Sequence, residues 1–488
     1  MMTLKELLEP LRFENIINDE NPTITSISMD SREVTEGTLF ICIKGYTVDG
    51  HEYAKQAEKQ GAVAIIAERE LPVSIPVIVV RDSKRTMAKV ACHYYNNPTT
   101  KLNLIGVTGT NGKTTVTHLL EKIMNDQKRR TGLIGTMYTK IGDDLRETNN
   151  TTPESLPLQK LFSEMRENNV DTALMEVSSH ALHLGRVHGC DFDIAIFTNL
   201  TPDHLDYHQT MEAYLYAKGL LFAQLGNVPS SKVAIINADD PASDELIRMT
   251  AVDVVTFGLE KKADVFATNI QLSASGTTFN LNIFDETVKV SMNLIGKFSV
   301  YNALAAAAGA FVSSVSIQDI KRSLEEVGGV TGRFETVDSG QDFSVIVDYA
   351  HTPDSLENVL QTVKQLAKRR VIAVVGCGGD RDRTKRPIMA GIASELADQT
   401  IFTSDNPRTE DPEIIVKDMV EGVKRDNYSV IIDREIAIKT AIFEAETDDI
   451  VLIAGKGHET YQIIGKQTIH FDDREVAKRM LQEKLDLV

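Results

Sequence analysis

Short apolar runs alternate with amphipathic stretches of helical period through most of this chain, the pattern of strands and covering helices in an α/β protein. Before residue 100 the runs 39–43, 62–67 and 77–80 predict strands, with helices over 53–60 and 83–95. The polar stretch 96–100, Asn-Asn-Pro-Thr-Thr, predicts a linker. Beyond it come a strand over 101–108, a helix over 115–126 and strands over 131–134, 172–176, 194–198 and 233–237, with helices between them. This alternation predicts a mostly parallel sheet covered on both faces, with its site at the carboxyl ends of the strands. The texture changes between 253 and 294, where 277–284 and 287–292 flank an Asp-Glu turn and predict a hairpin; a helix over 300–312 restores the earlier style. Gly328-Gly329-Val330-Thr331-Gly332 marks a second break, after which strands at 344–348, 370–375, 399–403 and 449–454 alternate with helices. The expectation is an α/β chain of three domains. A small amino-terminal α/β domain spans 1–98, a central domain with a mostly parallel sheet spans 99–331, and a doubly wound, Rossmann-like domain spans 332–488.

Length agrees with that division, since 488 residues exceed what one hydrophobic core usually serves. A formal charge of −18 argues against a nucleic-acid-binding surface, so any anionic ligand needs a local basic cluster. Lys5, Glu6 and Glu9 interrupt the amino end where a secretion signal needs an apolar core, and no apolar run approaches membrane-spanning length. Cys42, Cys92, Cys190 and Cys377 lack the paired spacing of a zinc site or a disulfide framework. Together these features predict a cytoplasmic chain without membrane insertion, with a monomer as the expected state.

The strongest chemical signal follows the strand at 101–108, where Gly109-Thr110-Asn111-Gly112-Lys113-Thr114-Thr115 opens a helix. The glycines allow a tight turn that aims backbone N–H groups at a polyphosphate, Lys113 adds positive charge, and the Thr114 hydroxyl suits Mg²⁺. The common phosphate-loop pattern has a glycine where this chain has Val107. ATP is the expected ligand. Glu176, ending the strand at 172–176, is either a solvated strand end or a metal ligand, and Asp203-His204-Leu205-Asp206-Tyr207-His208 is either a solvated loop or a second cluster of ligands. Lys218 falls on the apolar stripe formed by Met211, Tyr214, Leu215, Leu221, Phe222 and Leu225 of a predicted helix over 211–225. A lysine on a buried face must snorkel, pair, lose its proton or be modified, and a neutral amine reacts with CO₂ to give a carbamate that could meet Mg²⁺.

In the third domain, Asp405-Asn406-Pro407-Arg408 follows a strand, and the proline stiffens a loop whose Arg408 suits a planar carboxylate. Arg381 offers a second grip, and Gly455-Lys456-Gly457-His458-Glu459 offers an acid for a substrate ammonium. Gly376-Cys377-Gly378-Gly379-Asp380-Arg381 approximates a dinucleotide fingerprint but has Arg381 where the third glycine belongs.

These motifs, with Asn150-Thr151-Thr152-Pro153, Glu176-Val-Ser-Ser-His180, Gly332-Arg333-Phe-Glu335 and Asp348-Tyr-Ala-His-Thr-Pro353, resemble the Mur ligase family, which joins amino acids to the nucleotide-linked peptidoglycan precursor. The resemblance spans nearly the whole chain, and Val107 is the form usual in that family's loop. It implies that ATP phosphorylates the D-glutamate carboxylate of UDP-MurNAc-L-Ala-D-Glu and that an incoming amine attacks the acyl phosphate. It further implies that Lys113 holds the transferring phosphate, that Thr114, Glu176 and His204 organise two Mg²⁺ ions, and that carbamylated Lys218 supports one of them. Asn302, Arg333 and Asp348 match nucleotide contacts. Ser31 matches a uridine contact, and Asn150, Thr151, Thr152, Ser178 and Arg186 match the muramoyl-dipeptide site, whereas Leu184 stands where some relatives carry a polar residue. In the family the Asp-Asn-Pro-Arg form accompanies meso-diaminopimelate, implying Arg381, Asp405, Asn406, Pro407, Arg408, Gly455 and Glu459 as its contacts. The alternatives are an L-lysine-adding version of the same ligase, a folylpolyglutamate synthase and an ATP-driven switch that makes no bond.

Overall fold

The computed structural model describes residues 2–11, 15–18, 20–45, 48–148, 150–226, 232–273 and 275–487; parts of the amino-terminal stretch 1–15 fall outside them. Three main sheets follow one another along the chain. The first is five-stranded, in the order Asn15–Ile17, Val77–Val79, Ala62–Ala67, Thr38–Ile41 and Ser26–Ser28, and only its first pair is antiparallel. Its outer strands, Asn15–Ile17 and Ser26–Ser28, went unpredicted, because three residues of mixed polarity give no periodic signal.

The second sheet has eleven strands. Its parallel middle runs from Thr131–Ile134 through Thr172–Glu176, Asn103–Thr108, Ile194–Phe197, Val233–Asn237 and Asp253–Gly258 to Val265–Ser273. The predicted hairpin, Gly276–Ile283 with Glu286–Met292, continues this sheet at one edge. The change of texture at 253–294 is therefore a change of solvent exposure: Glu286–Met292 alternates exposed and buried residues because one face is covered and the other is wet. Over the buried face lies Lys297–Val312, which starts a turn earlier than predicted and buries Ala303 through Ala308. Gly309 lets it approach helix Lys113–Asp126, since a Cβ there would stand 3.1 Å from both Leu120 and Ile196.

The third sheet is six-stranded, in the order Glu335–Thr336, Ser344–Asp348, Ile450–Ala454, Val371–Cys377, Gln399–Ser404 and Tyr428–Val430, and only the first pair is antiparallel. Every residue of Val371–Cys377 and Ile450–Ala454 is buried, as expected of parallel strands covered on both faces. The chain moves outward from Val371–Cys377 through Gln399–Ser404 to Tyr428–Val430, then returns to its other side with Ile450–Ala454. That reversal opens a crevice at the carboxyl ends of these strands. A two-stranded hairpin, Tyr461–Ile464 with Gln467–His470, follows beside it. No helix among the described residues is long and apolar enough to cross a membrane.

Candidate active site

The phosphate loop lies at the centre of the second sheet, between strand Asn103–Thr108 and helix Lys113–Asp126. Gly109 and Gly112 both have positive φ, and each is hemmed in: a Cβ at Gly109 would collide with Thr198 and one at Gly112 with Asn302. The Thr198 hydroxyl donates to the Asn111 carbonyl at 2.6 Å, and Asn111 N–H donates to Asn199 at 2.9 Å, so the loop is braced from the neighbouring strand end. Lys113 Nζ curls back to donate to the Gly109 and Thr110 carbonyls, each at 2.9 Å.

Lys218 is 1 % exposed, on helix Met211–Ala223, and its Nζ donates to the same Gly109 carbonyl at 2.8 Å. Burial, and then the neighbouring Lys113, hold its pKa well below that of an ordinary lysine. Snorkelling is excluded, because the side chain runs inward across the Tyr214 ring, 4.3 Å from its centroid. The ammonium form of Lys218 is thus disfavoured where the side chain faces the phosphate loop.

Glu176, also 1 % exposed, accepts hydrogen bonds from Thr114 Oγ1 at 3.0 Å and from the N–H and hydroxyl of Thr136 at 2.9 and 3.0 Å. It is therefore no solvated strand end. From Glu176 a chain of bonds leads outward. Thr136 meets the Thr151 hydroxyl at 3.0 Å, Thr152 donates to the Glu176 carbonyl at 2.8 Å, Ser178 N–H donates to Thr152 at 3.1 Å, and Arg186 reaches the Thr152 carbonyl at 3.1 Å. Residues expected at the dipeptide site thus adjoin those expected at the phosphate, whereas Ser31, the expected uridine contact, lies in a short 3₁₀ turn of the first domain.

Among the described residues no cluster of three or more His, Cys, Asp or Glu side chains is arranged to hold a metal. The buried oxygen pair of Thr114 and Glu176 nevertheless fits Mg²⁺, which takes one or two protein oxygens and completes its shell with phosphate and water. His204 adopts a left-handed backbone, and its Nε2 lies 3.4 Å from Asp203. Burial pushes its pKa down, against the pull of Asp203, so a neutral imidazole is present near neutral pH.

The third domain closes this region from the other side. Arg333 donates to Thr114 Oγ1 at 3.1 Å and lies 4.5 Å over the Tyr349 ring, while its buried Nε has no hydrogen-bond partner among the described residues. An orphaned guanidinium N–H beside a phosphate loop is a donor prepared for an anion. Asn111 Nδ2 donates to Asp354 at 2.9 Å, and Lys385 approaches Asp203 at 3.8 Å, so each side of the cleft touches the other. Asp348 accepts from Phe334 N–H at 2.6 Å; burial raises its pKa to about 6, against the lowering effect of Arg333. Asn302 remains behind the loop at Gly112.

Between the two domains is a cleft of about 880 Å³. Asn150, Thr151, Asp203 and His204 line one wall, and Arg381, Asp405, Asn406, Arg408, Gly455 and Glu459 line the other. Arg408 Nη1 donates to the Gly379 carbonyl at 2.8 Å, and no described residue bonds its Nε or Nη2, leaving an edge for a carboxylate. Glu459 is less available to a substrate ammonium than the sequence suggested, since its Oε2 already accepts from Asn406 at 2.8 Å and from Lys456 at 3.0 Å. Burial and then Asp405 raise its pKa, while Lys456 and Arg434 hold Asp405 below the usual carboxylate range against its own burial. The glycines at 378 and 379 serve loop packing: a Cβ at Gly379 would collide with the Pro407 carbonyl. Lys385 was not singled out from sequence and only tertiary proximity marks it, whereas His351 and Lys456 stood inside quoted motifs without a role of their own.

Comparison with known proteins points to one family along most of the chain. Three family models match in succession: "Mur ligase family, catalytic domain" over 23–95, "Mur ligase middle domain" over 107–310 and "Mur ligase, glutamate ligase domain" over 332–457. A UDP-N-acetylmuramoyl-L-alanyl-D-glutamate--2,6-diaminopimelate ligase of Halalkalibacterium halodurans is 63 % identical, covering 99 % of this chain and 100 % of that protein. One of the same name from Bacillus cereus is 57 % identical over 99 % of both chains. A solved structure of that ligase superposes with a TM-score of 0.71 at 35 % identity, covering 99 % of each chain. With a braced phosphate loop, a buried lysine beside it and a cleft shared with a Rossmann-like domain, this chain belongs to the Mur ligase family.

Proposed function

We propose that this chain is an ATP-dependent amide ligase that adds meso-diaminopimelate to UDP-MurNAc-L-Ala-D-Glu in peptidoglycan precursor synthesis. The observation that supports the reading is the cleft itself, whose lining includes Arg408, with an unbonded guanidinium edge, together with Thr151 and His204. The two relatives named above, matched from end to end, add weight to it.

A carboxylate is a poor electrophile, so the first step makes it a better one. An oxygen of the D-glutamate carboxylate attacks the γ-phosphorus of ATP, and ADP leaves. Lys113 and Arg333 balance the charge that gathers on the transferring phosphoryl group. The amine of diaminopimelate then attacks the acyl carbon, inorganic phosphate leaves, and the amine gives up a proton. Magnesium, when bound, supplies further charge neutralisation; Thr114, Glu176, His204 and a carbamate on Lys218 would hold two such ions. Lys218, whose pKa is held well below that of an ordinary lysine, would form that carbamate when its unprotonated amine bonds to the carbon of CO₂ and releases one proton, which exchanges a buried amine for an anion.

Residues 1–98 take the uridine end through Ser31, 99–331 bind ATP with Gly109 to Thr115, Asn302, Arg333 and Asp348 around it, and 332–488 receive the amine. Asn150, Thr151, Thr152, Ser178 and Arg186 hold the dipeptide. Asn406, Pro407, Arg408, Arg381, Asp405, Gly455 and Glu459 form the amine site, where Arg408 grips the distal carboxylate that lysine lacks. The enzyme acts as a cytoplasmic monomer, and its four cysteines are free thiols in keeping with a reducing compartment.

The test is an assay of purified protein with ATP, Mg²⁺ and the muramoyl dipeptide, offering diaminopimelate or L-lysine and following ADP release and product mass. Tripeptide product with diaminopimelate, at a kcat/KM roughly a hundredfold above lysine, is expected. Preference for lysine, or ADP release without dipeptide, would overturn the reading.

A further inference from the structure

The hairpin Tyr461–Ile464/Gln467–His470 has an inverted pattern of burial. Its glutamine, Gln462, is 7 % exposed, whereas Ile464 and Ile469 are 48 % and 42 % exposed. A hairpin built to add core would point these residues the other way. What Gln462 reaches is the amine-binding loop: its Nε2 donates to the Asp405 carbonyl at 2.6 Å. The next residues continue the clamp. Ile463 N–H donates to Asn406 Oδ1 at 2.9 Å, Arg408 N–H donates to the Ile463 carbonyl at 3.0 Å, and Gly465 N–H donates to the Arg408 carbonyl at 2.6 Å.

This clamp acts where the backbone is strained. Arg408 has φ of +52°, in the left-handed region that a side chain with a Cβ adopts only at a cost. Pro407 restricts the residue before it and leaves Arg408 free to relax to an ordinary φ. The hairpin removes that freedom by holding both the N–H and the C=O of Arg408, and the side-chain bond of Gln462 anchors the start of the same loop. The hairpin also lies beyond residues 332–457, which match the shared glutamate ligase domain.

We infer that Gln462 is a positioning residue for amine selection: through the Asp405 carbonyl it holds the loop in the conformation that aims the free edge of Arg408 at the distal carboxylate of the incoming amino acid. This rests on the diaminopimelate reading above. Gln462 itself does not line the cleft, so its effect passes through the loop it holds, and the inference assigns that effect to Arg408.

Steady-state kinetics of the full-length enzyme test it. Gln462→Leu keeps the bulk and removes the donor, and should raise KM for diaminopimelate about tenfold, the cost of leaving one buried carbonyl unpaired. KM for ATP and for the muramoyl dipeptide should stay within about twofold, and the preference for diaminopimelate over lysine should fall with the first change. In an Arg408→Ala background the same substitution should change KM for diaminopimelate by less than about twofold, since the two residues act as one unit. Gln462→Asn, which keeps the amide one methylene short, should shift KM in the same direction and carries the test where the leucine variant does not fold. Equal shifts in all three KM values, no shift in KM for diaminopimelate, or additive effects with Arg408→Ala would overturn the inference. A wild-type enzyme that prefers lysine would remove the substrate reading and this inference together, whereas a wild type that prefers diaminopimelate with an indifferent Gln462→Leu variant would remove this inference alone.

Discussion

Lys218 and Arg408 show what single residues do here. Lys218 stands out in the sequence because it falls on an apolar stripe, and the structure adds a second cation, Lys113, on the same Gly109 carbonyl. Two ammonium groups crowding one carbonyl in a dry site is costly, and burial with Lys113 beside it holds the pKa of Lys218 well below that of an ordinary lysine. Lys218→Ala is expected to lower kcat by about a hundredfold or more and to regain part of it with added short carboxylic acids, which replace the missing anion. A folded variant with no rescue would make the lysine purely structural. Arg408→Lys keeps the charge and loses the planar fork, so KM for diaminopimelate should rise about tenfold while KM for ATP holds. Val107 and the Asp-Asn-Pro-Arg stretch were legible as motifs. The contact of Lys385 with Asp203 was not, because these residues are far apart in sequence and meet only across the cleft.

At the scale of elements, the strands buried on both faces were the most legible, since continuous apolar runs such as Val371–Cys377 have one natural home in a parallel sheet. Short edge strands and strands with one wet face were least legible. Val265–Ser273 carries Thr268, Asn269 and Gln271 on its wet side and shows no run at all, although it joins the predicted hairpin to the central sheet. The helix Lys297–Val312 illustrates packing set by small side chains, with Gly309 against Leu120 and Ile196. Gly309→Leu should force that helix from Lys113–Asp126 and destabilise the protein by about 1–3 kcal/mol, read as a lower urea midpoint with an unchanged slope. Because Lys113–Asp126 begins at the phosphate loop and Asn302 backs Gly112, the same variant should also bind ATP less tightly.

For the whole molecule, burial of titratable groups makes stability depend on pH. The pKa of His208 is depressed to about 4, chiefly by burial and then by His180, and its Nε2 meets the Ser179 hydroxyl at 2.9 Å. The unfolded chain binds that proton near pH 6.5, so the stabilisation is complete above this value and is lost as pH falls towards 4. Asp348 works in the opposite sense: with a folded pKa of about 6, it favours the folded state as pH falls from 6 towards 4. Thermal melting at pH 7 and pH 5 should therefore show a smaller fall in Tm for His208→Gln than for wild type, and an equal fall would exclude His208 as a source. The sequence by itself determined the phosphate loop, the α/β class, the break near Gly332 and the identity of the residues able to handle phosphate and carboxylate, because these are local: a turn needs its glycines and a parallel strand needs its apolar run. The tertiary structure alone decided that Lys218 is a dry amine on the loop, that Glu459 is already held by Lys456, and that Arg408 owes its aim to a hairpin that follows it by some fifty residues. Desolvation and aim depend on what the rest of the chain brings alongside, and no local pattern encodes that.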